Sequence, residues 1–102
     1  MTDQGGNSES GSGRYRLKLY ITGTTPVSSR AVVNIRKLCE DYLPNSHDLE
    51  IIDVLRTPGL AKEMQLIAVP TLVKELPLPE RRFIGDMSGT DRLIAGLGIK
   101  PL

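Results

Sequence analysis

The chain has 102 residues, enough for one small domain with one core and too few for a core plus a deep substrate cleft. Lys and Arg number 13 against 12 Asp and Glu, and aromatic residues make up only 4%, so nucleic acid, which rewards basic patches and stacking rings, is disfavoured as a partner. A single cysteine and a single histidine exclude an intrachain disulfide and a Cys- or His-cluster metal site.

Residues 1–13, MTDQGGNSESGSG, are polar and lack any apolar period. They read as a flexible tail that cannot offset its own ordering entropy. One domain is expected over residues 14–102. The tail has no signal-peptide pattern, and no later run nears the ~20 apolar residues of a membrane span. With one free thiol, suited to a reducing compartment, the expected location is the cytoplasm, with no membrane partner.

From Tyr15 to Thr22 the chain alternates: Leu17, Leu19 and Ile21 share one face, Arg16 and Lys18 the other. This predicts a strand with one buried face. Thr25-Pro26 then gives an N-cap followed by proline at the first helical position. A helix is predicted from about Pro26 to Leu43, with Val27, Ala31, Ile35, Leu38, Cys39 and Tyr42 as its apolar stripe and Arg30, Asn34, Lys37 and Asp41 opposite. Pro44-Asn45 ends it.

Leu49–Leu55 is nearly continuous in apolar character, as in a strand covered on both faces. Strand, long helix and strand together predict a right-handed βαβ unit with parallel strands. Thr57-Pro58 repeats the cap-then-proline signal, and Leu60, Met64 and Ile67 form a short helical stripe. Thr71–Leu76 reads as a third strand, broken by Pro77 and Pro79. Arg81–Asp86 reads as a fourth, antiparallel to the third. A last helix is predicted from Thr90 to about Leu97, capped by Ser88 or Thr90, with Leu93, Ile94 and Leu97 facing the core. Gly96 and Gly98 weaken it by about 1 kcal/mol each relative to Ala wherever they lie inside it.

The order β-α-β-α-β-β-α is that of an α/β, thioredoxin-like fold. A thioredoxin works through Cys-x-x-Cys at the N-terminus of its first helix, where the dipole favours thiolate. Here that place reads Thr24-Thr25-Pro26-Val27-Ser28-Ser29, without a thiol. Cys39 lies three turns later on the apolar stripe and is expected to be buried and inert. A thiol enzyme or glutathione-binding protein is the rival reading, and it requires Cys39 to be reactive. Ser28 and Ser29 are read as capping residues, since nothing places His47, the one histidine, beside them. No P-loop lysine follows the first strand, so phosphate transfer is unsupported. Asp53, a carboxylate in an apolar strand, is read as hydrogen-bonded or at an exposed strand end, with a partner contact as the alternative. Pro70, before the third strand, stands where thioredoxin-like proteins hold a cis proline. For Arg81-Arg82, solvent exposure of at least one is expected. No catalytic constellation stands out and no cofactor is implied.

Several motifs together are recognisable. Leu17-Lys18-Leu19-Tyr20-Ile21-Thr22-Gly23-x-Thr25-Pro26, Ile52-Asp53-Val54-Leu55, Pro70-Thr71-Leu72 and Leu76-Pro77-Leu78-Pro79-x-Arg81-Arg82-x-Ile84-Gly85-Asp86 resemble the KaiB family from about Tyr15 to Gly98. The last of these runs is specific; the shorter ones carry little alone. The resemblance implies a non-enzymatic clock or timer regulator that binds a KaiC-family ATPase. A KaiA-like protein or a histidine kinase are further implied partners, and a homo-oligomer, dimer or tetramer, is implied as well. It also implies a metamorphic chain, in which a ground state of order β-α-β-β-α-α-β rearranges its second half into the thioredoxin-like state that binds. A detached sensor-input module of the kind found on the kinase SasA, or a stress-adaptation protein, is the alternative.

By the same resemblance, the second helix, about Pro58–Leu66, is the partner-facing element, with Lys62, Glu63 and Gln65 turned away from Leu60 and Met64. Tyr15 and Arg30 match further surface positions, and Glu50 matches an edge used around KaiA. Pro70, Pro77, Pro79, Gly96 and Gly98 are the candidate switch positions. Two folds of one sequence must lie within a few kcal/mol of each other, and X-Pro isomerisation takes tens of seconds or longer. Gln65 and Glu50 stand where cyanobacterial members usually carry lysines, Gly98 replaces a usual acid, and the chain stops at Leu102 without an acidic tail. These departures point to a divergent homologue, from a bacterium with KaiB and KaiC but without KaiA. There a timer or stress-adaptation role stands beside a circadian one.

Overall fold

A computed structural model of the chain describes residues 14–66 and 69–99. The expected tail over 1–13 and the stripe position Ile67 lie outside the described residues. Strand β1, Tyr15–Ile21, is central, and its neighbours follow from the order β2-β1-β3-β4. Helix α1, Pro26–Tyr42, starts as the sequence predicts, with the Ser28 amide donating to the Thr25 hydroxyl at 3.2 Å and Pro26 at the first position. Its buried residues, Ala31, Ile35, Leu38 and Cys39, are the predicted stripe. It ends at Leu43, whose amide donates to Cys39 O at 2.8 Å.

Strand β2, His47–Asp53, runs parallel to β1 with Tyr15 opposite His47 and Ile21 opposite Asp53. Its apolar run suggested a strand covered on both faces, but it lies at the sheet edge and is at most half-buried. It also stops earlier than predicted. The Asp53 carboxylate accepts from the Leu55 amide at 2.9 Å and turns Val54–Arg56 into a 3-10 segment. The same Oδ1 accepts from the Gly23 amide at 3.1 Å, so Asp53 joins the β1–α1 loop to the end of β2.

Helix α2 is shorter than predicted. It spans only Leu60–Glu63, starting at Gly59 without a side-chain cap and closing before Gln65, which sits at φ +55°. Strand β3, Thr71–Leu76, pairs antiparallel with β1, and β4, Arg81–Ile84, pairs antiparallel with β3. The three X-Pro bonds at Pro70, Pro77 and Pro79 are cis. Side chains alternate across the sheet. Leu17, Leu19, Leu72 and Phe83 therefore join α1 and α3 in one core, while Lys18, Tyr20, Val73 and Arg82 face the other side. Truncating a fully buried leucine such as Leu19 to Ala costs about 2–5 kcal/mol. Lys74 also lies on the core side, 4% exposed, its side chain without a hydrogen bond or ion pair among the described residues. Burial, and then the nearby charge of Arg81, lowers its pKa.

Helix α3, Thr90–Leu97, buries Leu93 and Leu97. Neither Ser88 nor Thr90 caps it: Gly89 is the N-cap and offers no side chain, while the Ser88 amide is turned to Asp86 Oδ1 at 3.0 Å. Gly98 lies past the helix end in the left-handed region, φ +74°, and its amide donates to Ala95 O at 3.2 Å. It therefore favours this helix rather than weakening it. Gly96 lies inside, where a Cβ would run into the Phe83 ring, with Cζ at 2.9 Å. Gly98→Ala is expected to lower stability by about 1 kcal/mol, read as an earlier urea midpoint at unchanged m-value.

Candidate functional site

The N-terminus of α1 is where a thioredoxin-like fold carries thiol chemistry, and here it carries none. Ser28 is fully buried, and its Oγ accepts from the Thr22 amide at 3.1 Å. It braces the loop rather than capping the helix, the task that Thr25 performs. His47 Nδ1 lies 2.8 Å from Leu43 O, at the opposite end of α1. Cys39 is fully buried, and burial pushes its pKa up to about 11. Among the described residues no group of His, Cys, Asp or Glu could hold a metal ion. No described helix is long and apolar enough to cross a membrane.

Lys62, Glu63 and Gln65 are all exposed, while Leu60 and Met64 are half-buried, so the predicted outward face of α2 forms. What holds that face was not legible in the sequence. Arg82 Nη2 donates to Met64 O at 2.8 Å and Arg82 Nη1 to Gln65 O at 3.1 Å. Arg81 and Arg82 are both exposed overall, as alternation allowed for at least one, yet Arg82 spends its donors on backbone. Nothing in the local pattern around Arg82 points to carbonyls 17 and 18 residues earlier.

Arg30 is exposed and ion-paired with Asp86 at 3.4 Å. Its neighbour one turn on, Asn34, donates to Asp86 O at 2.8 Å. The α1 face expected to meet solvent therefore clasps the β4–α3 connection. Ser88 hydrogen bonds, and then Arg30, hold the Asp86 carboxyl below its ordinary 3.8. Glu50 is exposed on the edge strand β2. Tyr15, expected at the surface, is only 7% exposed. Its hydroxyl donates to Leu97 O at 2.9 Å, and burial raises its pKa. The correction has a plain cause: Tyr15 begins the central strand, and the end of α3 needs a donor for its open carbonyl. A groove of about 540 Å³ between β4 and α3 is lined by Phe83, Met87, Arg92 and Gly96 among others.

The structure is a thioredoxin-like α/β domain with no thiol at the α1 N-terminus and a one-turn surface helix. Solved structures share this fold. The N-terminal domain of SasA from Synechococcus elongatus matches with a TM-score of 0.70 at 22% identity, over 95% of this chain and 90% of that one. Mitochondrial thioredoxin 3 from Saccharomyces cerevisiae matches with a TM-score of 0.66 at 19% identity, over 86% and 80%. The KaiB domain family model matches residues 18–99, and the chain belongs to the KaiB family. It is 46% identical over 88 residues to the circadian clock protein KaiB3 of Synechocystis, covering 86% of each chain. It is 45% identical over 85 residues to the circadian clock oscillator protein KaiB of Synechococcus elongatus, covering 83% of each.

Two outcomes follow from these environments. Cys39 is expected to resist a thiol reagent at pH 8 and to react only as the chain unfolds, read by stopped labelling across a urea series. The Asp86 contribution to stability is present in full above the ordinary carboxyl value of 3.8 and is lost as pH falls through the lower folded-state value. Asp86→Asn is therefore expected to flatten the acid limb of a stability–pH curve, measured by urea unfolding, without changing the neutral limb's slope.

Proposed function

We propose that this protein is a non-enzymatic clock or timer regulator that binds a KaiC-family ATPase through the outward face of α2. The observation that carries this reading is the joint exposure of Lys62, Glu63 and Gln65 on a thioredoxin-like domain with no thiol at its α1 N-terminus. Arg30 and Glu50 are exposed and are included in the partner contact by the family resemblance. The same reading makes the thioredoxin-like arrangement the binding state, reached from another arrangement of the second half, with Pro70, Pro77, Pro79, Gly96 and Gly98 as switch positions. Gly98 supports it as a cap specific to α3, and Gly96 as the room for Phe83. A KaiA-like protein, at the edge around Glu50, or a histidine kinase is a further partner, and the setting is the cytoplasm.

The test is to mix the protein with its host's KaiC-family ATPase and nucleotide and to follow complex formation over hours by size exclusion, which also reads a dimer or tetramer of the free protein. A complex that forms slowly is expected. A complex at once keeps the partner and removes the switch. No complex under any nucleotide condition overturns the reading in favour of a detached sensor-input module. Lys62→Ala is expected to weaken the complex about tenfold, which corresponds to ~1.4 kcal/mol.

A further inference from the structure

The proposed docking face sits on an element that cannot hold itself. Helix α2 has four residues, no buried side chain and no side-chain N-cap. A single turn is unstable alone, because nucleation fixes several residues for one hydrogen bond. Its amides are satisfied: Glu63 donates to Gly59 O at 2.9 Å, Met64 to Leu60 O at 2.8 Å, Gln65 to Lys62 O at 3.1 Å and Leu66 to Ala61 O at 2.8 Å. Gln65, at φ +55°, holds a left-handed conformation that a side chain disfavours. The carbonyls of Met64 and Gln65 point away from the helix, and both accept from one guanidinium, that of Arg82.

Arg82 is well built for this. Its backbone is in β4, opposite the buried Val73 of β3, so its base is rigid. A planar guanidinium offers two parallel donors to two neighbouring oxygens, and the bonds are charge-assisted. Lysine, with a point charge on a flexible stem, cannot reproduce that fork. Arg82 Nε lies 4.0 Å from Glu80 Oε2, a spacing too wide to compete for the two terminal nitrogens. The neighbouring Arg81 is exposed and makes no such bond among the described residues.

We infer that Arg82 is the positioning residue of the docking face: it clamps the end of α2 to β4 and so presents Lys62, Glu63 and Gln65 in one orientation. The inference rests on the α2 reading above and adds the residue that makes it work. Arg82 acts through backbone carbonyls and touches the partner only indirectly.

The experiment has two arms on the full chain. In the first, amide hydrogen exchange is measured without a partner for the unaltered protein, Arg82→Ala, Arg82→Lys and Arg81→Ala. The Glu63, Met64, Gln65 and Leu66 amides are expected to exchange at least about tenfold faster in Arg82→Ala, with Leu19 and Leu72 unchanged. Arg82→Lys is expected to fall between, and Arg81→Ala to match the unaltered protein. In the second arm, affinity for the KaiC-family ATPase is measured for Arg82→Ala, Lys62→Ala and the double variant. The double variant is expected to lose less than the two single losses combined, because the Lys62 contact depends on the clamped helix.

Unchanged exchange at residues 63–66 overturns the clamp. Additive losses assign Arg82 a separate contact and overturn the positioning role. Faster exchange at Leu19 as well makes the effect fold-wide and overturns it too. If the unaltered protein binds no ATPase, the partner reading falls, and the first arm still decides whether Arg82 holds α2.

Discussion

Everything in this domain hangs on β1. Like β3 it is hydrogen-bonded on both sides, and it is where the two halves meet, parallel to β2 from the first half and antiparallel to β3 from the second. Its inward side chains Leu17 and Leu19 are fully buried between the sheet and the helices. The βαβ half is built on one edge of β1 by local sequence order. The second half must find the other edge and is then held there by long-range contacts. Tyr15 at the start of β1 completes the link by donating to Leu97 O at the far end of α3.

Beyond the β1–β3 ladder, side chains join the two halves through the Arg30–Asp86 and Lys18–Glu75 ion pairs and through hydrogen bonds to backbone carbonyls. Asn34 and Arg30 on α1 hold Asp86, and Tyr15 holds α3. Each hydrogen bond of this sort is worth only about 0.5–1.5 kcal/mol net. Lys74, whose side chain is buried on the core side without a hydrogen bond or ion pair among the described residues, works against the same half, since desolvating a charge is unfavourable.

The absence of thiol chemistry at the α1 N-terminus has a structural counterpart. The loop that would carry a reactive cysteine is instead pinned by Ser28 to the Thr22 amide and by Asp53 to the Gly23 amide. These bonds turn a reactive loop into a rigid corner. Asp53 illustrates how a sequence oddity resolves: a carboxylate in an apolar strand is the acceptor that ends β2 and fixes its neighbour loop.

The elements with strong period were legible from residues alone. The alternation of Leu17, Leu19 and Ile21 and the stripe of Ala31, Ile35, Leu38 and Cys39 are local patterns, and local patterns survive folding when they agree with the core. The β2 run misled because apolar content does not say whether a strand is central or at an edge. The outward face of α2 was legible by its resemblance and spacing, but not the length of the helix, which Gly59 and Gln65 cut to one turn.

The sequence by itself determined the class of fold, the missing thiol and the family, because these rest on local order and residue identity. Only tertiary structure decided where Tyr15 goes, which carbonyls Arg82 holds and that Arg30 faces Asp86. Those pairings join residues dozens of positions apart or on separate elements, and their geometry exists only once both halves share β1.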